Sequence, residues 1–153
     1  RVKELLDQHV IGPINEVVIT MHKPLKEHDT ASSNWRVDPS IAGAGYFYDL
    51  APHQLDLLFY FFGEAASYQG KATNQSKVYA AEDTVEGEVV MKNGVTCKGD
   101  WCFCAQESKD EFLIKGTLGS IAFPVFGHVI TTIINGVVEE EHFEPPMHNQ
   151  QGL

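Results

Sequence analysis

The stretch "GAGYFYDLAPHQLDLLFYFFG", residues 43–63, opens with small residues and closes with the densest apolar block of the chain. That block runs from Leu55 to Phe62, and the following Gly63 is the residue type that commonly ends a helix. A run of this length, with its apolar residues bounded by glycine, predicts a helix anchored in a hydrophobic core.

Three ionisable side chains precede the block at one-turn spacing. On one continuous helix Asp49, His53 and Asp56 occupy positions i, i+4 and i+7, so they share a face with neighbours roughly 5–6 Å apart at Cβ. Pro52 lies between the first two and leaves two geometries open. It either lies in the first helical turn, with Asp49 near the N-cap, or kinks a longer helix that starts near Gly45.

The chain on either side of this helix predicts mostly strands. Before it, residues 2–10 are typical of the last turns of a helix closed by Gly12 and Pro13, and residues 14–22 of a strand rich in β-branched residues. Residues 23–41 show no clear periodicity and form a connection long enough to suggest a functional loop. After it, strands are predicted in SYQGKATNQ, DTVEGEVVM, VTCKGDWCFCA, EFLIKG, SIAFPVF, HVITTII and VVEEEHF.

Two of the joints between these strands are Asn-Gly pairs, Asn93-Gly94 and Asn135-Gly136, which strongly favour hairpins. The expected fold class is therefore α+β. We expect one domain over residues 1–153, with an open, mostly antiparallel sheet of about six to seven strands and helices packed on one face.

Composition and charge exclude several classes of protein. The 21 acidic and 11 basic residues give a formal charge of −10, which disfavours nucleic acid and anionic membranes as partners. The longest apolar run is too short to span a bilayer and contains Asp56. The N-terminus has neither a secretory apolar core nor an initiating methionine, so it is expected to be a cut from a longer chain.

The three cysteines follow the spacing C-x4-C-x-C. In a strand Cys102 and Cys104 share a face and Cys97 points to the other, so three metal ligands do not converge and no metal site is expected. Free buried thiols indicate a reducing compartment, which predicts a cytoplasmic protein.

The pattern "NWRVDPSIAGAGYFYDLAPHQLDLLFYFFG", residues 34–63, resembles the start of the C-terminal domain in the glucose-fructose oxidoreductase and inositol dehydrogenase (Gfo/Idh/MocA) family. The matching positions, in order, are Trp35-Arg36, Gly43 with Gly45, Asp49, His53 with Asp56, and Gly63. The resemblance extends more weakly on both sides, as far as "MHNQQ" near the C-terminus. Two departures are Ala44, where the family has a glycine, and Pro52 before the histidine.

The resemblance implies an NAD(P)-dependent oxidoreductase with an N-terminal Rossmann domain that this chain lacks. No G-x-G-x-x-G turn follows a strand here, so the chain alone is expected to bind neither NAD nor NADP and to be inactive. The family's catalytic lysine belongs to an E-K-P motif of that other domain. The local "HKP" at His22–Pro24 is rejected as its counterpart, because it follows a strand of the C-terminal sheet.

By the same resemblance the substrate is a sugar or polyol whose alcohol loses hydride to nicotinamide. His53 is the candidate general base, since histidine accepts protons readily at neutral pH. Asp49 then bonds the substrate hydroxyl or orients the imidazole, and Asp56 either contacts substrate or bonds nearby backbone. The simpler interpretation leaves Asp49 as a helix cap and His53 as a partly buried structural residue.

Trp35 and Arg36 are candidate substrate-binding residues, through stacking and donated hydrogen bonds. Their alternatives are a hydrophobic plug over the helix for Trp35 and an ion pair with Asp38 for Arg36. The family also predicts a homo-oligomer built through the open sheet face, so an interaction module without activity of its own is the second hypothesis. A hydrolase using Ser40 is a weaker third, because no G-x-S-x-G elbow is present.

Overall fold

A strand from the N-terminal part of the chain lies inside the sheet. The computed structural model describes residues 1–30 and 34–144, and it places β1, Ile14–His22, between strands that come much later in the sequence. Short helix α1, Val2–Asp7, precedes it. The remaining strands are β2 (Ala65–Thr73), β3 (Thr84–Met91), β4 (Thr96–Cys102), β5 (Lys109–Gly116), β6 (Gly119–Phe123), β7 (Val129–Ile134) and β8 (Val137–His142).

The described strands form one eight-stranded sheet in the order β2-β3-β4-β1-β5-β6-β7-β8. β1 runs parallel to β4 and antiparallel to β5, and every other pairing of the described strands is antiparallel. The α+β class and the mostly antiparallel sheet are confirmed. The predicted count of six to seven strands is wrong by at least one, because β1 joins the same sheet as the seven later strands.

One face of the sheet carries the core. In β1 the alternate residues Val17, Ile19 and Met21 are almost completely buried against the helices, as the period of two in a strand requires. The other face carries polar side chains. On it Glu16 accepts hydrogen bonds from Lys98 and Lys115, and these bonds lower the pKa of Glu16.

Both Asn-Gly hairpins are present. The first joins β3 to β4, and the second joins β7 to β8 through Asn135 and Gly136, whose φ angles are both positive, at 51° and 82°. Two successive positive φ angles are those of the tight hairpin turn that Asn-Gly favours. These two joints of the sheet follow directly from local sequence.

The connection at residues 23–41 contains three short helical pieces within its described part. They are the 3-10 turns Glu27–Thr30 and Trp35–Val37 and the helix α2, Pro39–Ala42. Asp38 caps α2 by accepting from the backbone N–H and the hydroxyl of Ser40, and these bonds lower the pKa of Asp38. The hydroxyl of Ser40 is therefore engaged in capping α2.

Glycine is required at two of the three positions in the small-residue run, residues 43–45. Gly43 ends α2 at φ 80°, a region that side chains disfavour. A Cβ on Gly45 would lie 2.6 Å from the backbone oxygen of Glu82. Ala44 between them is buried without a positive φ, so alanine is compatible with this position.

Helix α3 runs from Tyr46 to Phe62 with Gly45 at the N-cap. Pro52 is inside the helix, so the alternative that put it in the first turn is wrong and the longer helix starting near Gly45 is correct. Asp49 lies in the first turn but does not cap it, since the N-cap has no side-chain bond.

None of the helices in the described part of the chain has the length and apolar character that a membrane crossing requires. The stretch "MHNQQ" lies outside the described residues.

Candidate active site

Helix α3 divides into a buried face and an exposed face. Its fully buried residues are Ala51, Gln54 and Leu58. At about 100° per residue, Asp49, His53 and Asp56 fall on the opposite side, and all three are exposed. The structure therefore brings the three predicted residues onto one accessible helix face.

Asp49 is paired with Arg36 across the cleft that separates α3 from the preceding 3-10 turn. The Arg36 Nε donates to Asp49 Oδ2 at 3.1 Å, with both side chains more than two-fifths exposed. The expected alternative partner of Arg36, Asp38, is bound to Ser40 instead. This ion pair joins Arg36 and Asp49, which the sequence analysis assigned to the same site on different grounds.

Trp35 packs against the same guanidinium. The Arg36 Cζ lies 4.6 Å from the Trp35 ring centroid, within cation–π range. Trp35 is 48% exposed, so about half of its surface is covered and one part of the ring is open to solvent. Stacking on the ring limits the positions that the Arg36 head can take.

His53 contacts the loop between β6 and β7. Its ring meets Phe126 edge-on, with centroids 5.5 Å apart. The Phe126 loop is fixed by Asp110, whose carboxylate accepts from the backbone N–H groups of Val125 and Phe126 at 3.0 and 2.8 Å. Among the described residues no hydrogen bond joins His53 to Asp49, so in this state the aspartate does not orient the imidazole.

Asp56 has no hydrogen-bond or ion-pair partner within the described ranges. The suggested structural bond to nearby backbone is therefore absent there. Its side chain is exposed.

A cleft of about 240 Å³ opens beside this helix face. Arg36 and Asp49 line it together with residues that the sequence analysis did not assign. These are Lys23, Pro24, Lys26, His28, Asp29, Asn34, Tyr46, Leu50 and Phe103. The cleft therefore combines the start of α3 with the connection that follows β1.

Asp29 is the buried anchor of this wall, with 4% exposure. It accepts hydrogen bonds from the Tyr46 hydroxyl, from Asn34 Nδ2 at 3.3 Å and from the backbone N–H of Lys26 at 2.7 Å. Burial, followed by the bond to Asp29, raises the pKa of Tyr46, which therefore remains a neutral donor. This network ties the 3-10 turns to the first turn of α3.

Lys23 is the residue after β1, and its backbone continues the strand. Its N–H donates to the carbonyl of Cys102 at 2.8 Å, and its Nζ lies 5.9 Å from the Phe126 ring centroid. The "HKP" stretch was rejected as the E-K-P motif because it follows a strand of this sheet, and the structure places it there. Lys23 nevertheless lines the cleft, and its position directly after a buried strand is the signal that points to it.

The cysteines are free thiols. Cys97 is buried on the helix side, whereas Cys102 and Cys104 lie with their sulfurs 3.7 Å apart and are only half-buried. The predicted split between two faces is confirmed, but full burial of all three is wrong. No three His, Cys, Asp or Glu side chains in the described part converge as a metal-ligand set.

The described residues do not fit the diphosphate of a dinucleotide. That group needs a strand, a glycine-rich turn and the start of a helix in succession, and β1 is followed instead by 3-10 turns. The accessible features are the polar face of α3 and its cleft. Neither feature is a strand, glycine-rich turn and helix in succession.

Comparison with known proteins identifies a family for this chain. Residues 1–122 match the family described as the GFO/IDH/MocA C-terminal domain. Oxidoreductase P35 from Formosa agariphila is 42% identical over 155 residues, covering 100% of this chain and 48% of that protein. The chain thus spans about half the length of this relative.

Solved structures show the same fold. Levoglucosan dehydrogenase in complex with NADH has a TM-score of 0.79 at 21% identity, covering 94% of this chain and 43% of that chain. Aldose-aldose oxidoreductase from Caulobacter crescentus, complexed with glycerol, has a TM-score of 0.78 at 18% identity, covering 97% and 45% of the two chains.

Proposed function

Because this chain belongs to the GFO/IDH/MocA family of oxidoreductases, we propose that it is the substrate-binding and oligomerisation domain of an NAD(P)-dependent enzyme that acts on a hydroxyl carbon of a sugar or polyol. The resemblance in residues 34–63 is confirmed by the family match. The observation that carries the proposal is the shared exposed face of α3, where His53 and Asp49 lie beside the Arg36 cleft.

The proposed reaction separates hydride from proton. Transfer of hydride to or from C4 is the chemistry that a bound nicotinamide supplies. In the oxidation direction the hydroxyl proton passes to a ring nitrogen of His53 while the C–O bond becomes a carbonyl, so proton and hydride are both accounted for. His53 returns that proton in the reverse direction.

Asp49 is proposed to position the hydroxyl. Arg36 occupies its Oδ2, which leaves Oδ1 free to accept from a substrate hydroxyl. The same ion pair holds the carboxylate in place, which lowers the entropy lost when substrate binds. Trp35 offers an apolar ring for a sugar face, and Asp56 extends the polar face by almost one turn.

The proposal includes partners that this chain does not contain. An N-terminal Rossmann domain of the same protein holds NAD or NADP and covers the exposed face of α3, which closes the site from water. We place the protein in the cytoplasm, with neither nucleic acid nor membrane as a partner.

An interaction module without catalysis is the second candidate. The observation that favours it is the sheet face left uncovered by α1 and α3, where the paired apolar residues Val18 and Leu113 lie beside the ion pairs of Glu16. In this reading the face pairs with a second copy, and the helix face has no chemical role.

The test is turnover of the full-length protein with a sugar or polyol panel and both nicotinamide cofactors. His53→Ala should lower kcat by roughly 10²–10⁴-fold, the usual contribution of general acid–base catalysis. Dinucleotide affinity should stay near wild type. His142→Ala, which removes an exposed imidazole on β8, is the matched control and should leave both quantities unchanged.

Unchanged turnover in His53→Ala would overturn the assignment of the base. Calorimetry on residues 1–153 alone gives a separate answer about the cofactor. We expect no measurable binding of NAD(H) or NADP(H), and clear binding would show that the dinucleotide site lies in this chain.

A further inference from the structure

The cleft beside α3 is rich in cationic groups although the protein is strongly acidic. The chain has 11 Lys and Arg against 21 Asp and Glu, yet Lys23, Lys26 and Arg36 all line this one cleft, and His28 does so as well. Two carboxylates, Asp29 and Asp49, accompany them. With His28 neutral, the lining carries one positive charge in excess.

Both carboxylates are already engaged. Asp49 binds Arg36, and the buried Asp29 accepts from Tyr46, Asn34 and the backbone of Lys26. The lysine ammonium groups are different. Among the described residues neither Lys23 nor Lys26 has a carboxylate within ion-pair distance, so both are available to an anion from outside.

Arg36 also has unused donors. Its described contacts are the Nε bond to Asp49 and the stack on Trp35. A guanidinium has five N–H donors in a planar fork, so its two terminal nitrogens remain able to bind a carboxylate in two-point fashion. The ring stack and the ion pair hold that fork in a fixed orientation.

The cations flank the proposed catalytic pair. Arg36 is bonded to Asp49, one turn before His53. Lys23 lies on the other side, where the Phe126 ring contacts both the Lys23 ammonium and the His53 ring. His53 itself does not line the cleft, but Asp49, one turn before it on α3, does, so a ligand in the cleft that reaches toward His53 meets positive charge on the way.

We propose that the substrate is a sugar acid, with a carboxylate held by Lys23, Lys26 and Arg36 while one hydroxyl faces His53. This inference rests on the proposed function. A neutral sugar would leave the two ammonium groups without a partner, whereas a carboxylate forms charge-assisted bonds, which are roughly twice as strong as neutral ones. The described residues lack the strand, glycine-rich turn and helix that hold a dinucleotide diphosphate, and the test includes dinucleotide affinity to check that the anion is the carboxylate.

The test uses the full-length protein and substrate pairs that differ in one group. D-Glucuronate is compared with D-glucose, and D-galacturonate with D-galactose, since each pair exchanges a carboxylate for a hydroxymethyl at C6. We expect kcat/KM to favour the acid by about 100-fold, because each of two charge-assisted bonds contributes about tenfold. Added salt should raise the KM of the acid and leave that of the neutral sugar unchanged.

Variants locate the effect. Lys23→Met and Lys26→Met should each raise the KM of the acid by about tenfold, while the KM of the neutral sugar changes less than about twofold. The control is Lys71→Met, an exposed lysine of β2 outside the cleft, which should behave as wild type.

Equal or better turnover of the neutral sugars would overturn the proposal, as would lysine variants that weaken dinucleotide binding and leave the sugar KM unchanged. If no sugar of either kind is turned over, the proposed function fails. Calorimetry with glucuronate and glucose then tests the anion site independently of turnover. Salt-sensitive binding of glucuronate that is lost in Lys23→Met would support the site. Absent or equal binding of the two sugars would overturn it.

Discussion

Gln54 shows at the scale of one residue how the helix face is fixed. It follows His53 and is completely buried, and its Oε1 accepts from the indole Nε1 of Trp101 at 2.6 Å. Its own Nε2 has no partner in the described structure. A polar residue in this apolar layer therefore fixes the rotation of α3, and with it the outward direction of His53.

Replacing Gln54 by leucine should lower the free energy of unfolding by about 1–3 kcal/mol, because the buried Trp101 N–H loses its acceptor. Removal of the unpartnered Nε2 offsets part of that loss. The measurement is a urea-denaturation cycle with Trp101→Phe and the double variant. We expect a coupling energy of about 0.5–3 kcal/mol, and strictly additive losses would contradict the assigned bond.

Cys97 gives a prediction about alkaline pH. Burial, and secondarily the Glu16 charge, raises the pKa of this thiol from 9.0 to about 12. The folded state therefore keeps the proton where the unfolded state releases it. The stabilisation is complete below pH 9 and is lost between about pH 9 and 12, by about 1.4 kcal/mol per pH unit.

The measurement is urea denaturation of wild type and Cys97→Ala between pH 8 and 10.5. The alanine variant should be less stable at pH 8, because a buried side chain is shortened. Its stability should then fall less steeply with pH than that of wild type. Parallel curves would show that the Cys97 thiol does not titrate differently in the two states.

At the scale of elements, the sequence predicted those helices and turns that neighbouring residues determine. The apolar block and Gly63 predicted α3, and the two Asn-Gly pairs predicted their hairpins. The place of β1 could not be read in this way. Its parallel pairing with β4 places Val17 opposite Cys97. No periodicity in either segment predicts pairing between residues so far apart in the sequence.

The candidate site likewise has residues that local sequence predicts and residues that it does not. Asp49, His53 and Asp56 were predicted to share a face because helical spacing is a local property. Lys23, Asp29 and Phe126 were not assigned, since they reach the site only through the packing of β1, the 3-10 turns and the β6–β7 loop. Family resemblance supplied the roles of residues, and the contacts among them came from the structure.

Within α3, Pro52 is expected to lower the stability of the folded protein. It is exposed on α3 and removes one backbone hydrogen bond within the helix. Interior proline costs about 3 kcal/mol relative to alanine, and its stiffening of the unfolded chain returns up to about 1 kcal/mol. Pro52→Ala should therefore raise the free energy of unfolding by about 2 kcal/mol in urea denaturation.

Asp56→Ala, on the same exposed face, is the matched control for this change. It alters helix propensity by less than about 0.7 kcal/mol. An equal or smaller gain in Pro52→Ala would mean that the helix around Pro52 already compensates for the missing bond.

At the scale of the whole molecule, one face of the eight-stranded sheet carries no described helix. Val18, Leu113 and Ala122 are aligned across β1, β5 and β6, and ion pairs of Glu16 with Lys98 and Lys115 lie beside them. Eight strands about 4.8 Å apart and about 20 Å long cover roughly 700 Å². Specific interfaces bury about 600–1,000 Å² per partner, so this face falls within the range of sizes that can form one.

Leu113→Glu tests whether copies of the protein pair through that face. We expect light scattering to report a dimer or larger assembly for the full-length wild type, and a monomer for Leu113→Glu, because each copy would bring an unpaired carboxylate to the centre of the interface. Leu118→Glu places the same charge in the exposed β5–β6 turn and should keep the wild-type mass. Wild type that stays monomeric at high micromolar concentration would contradict the assembly, and an unchanged mass in Leu113→Glu would place the contact elsewhere on the molecule.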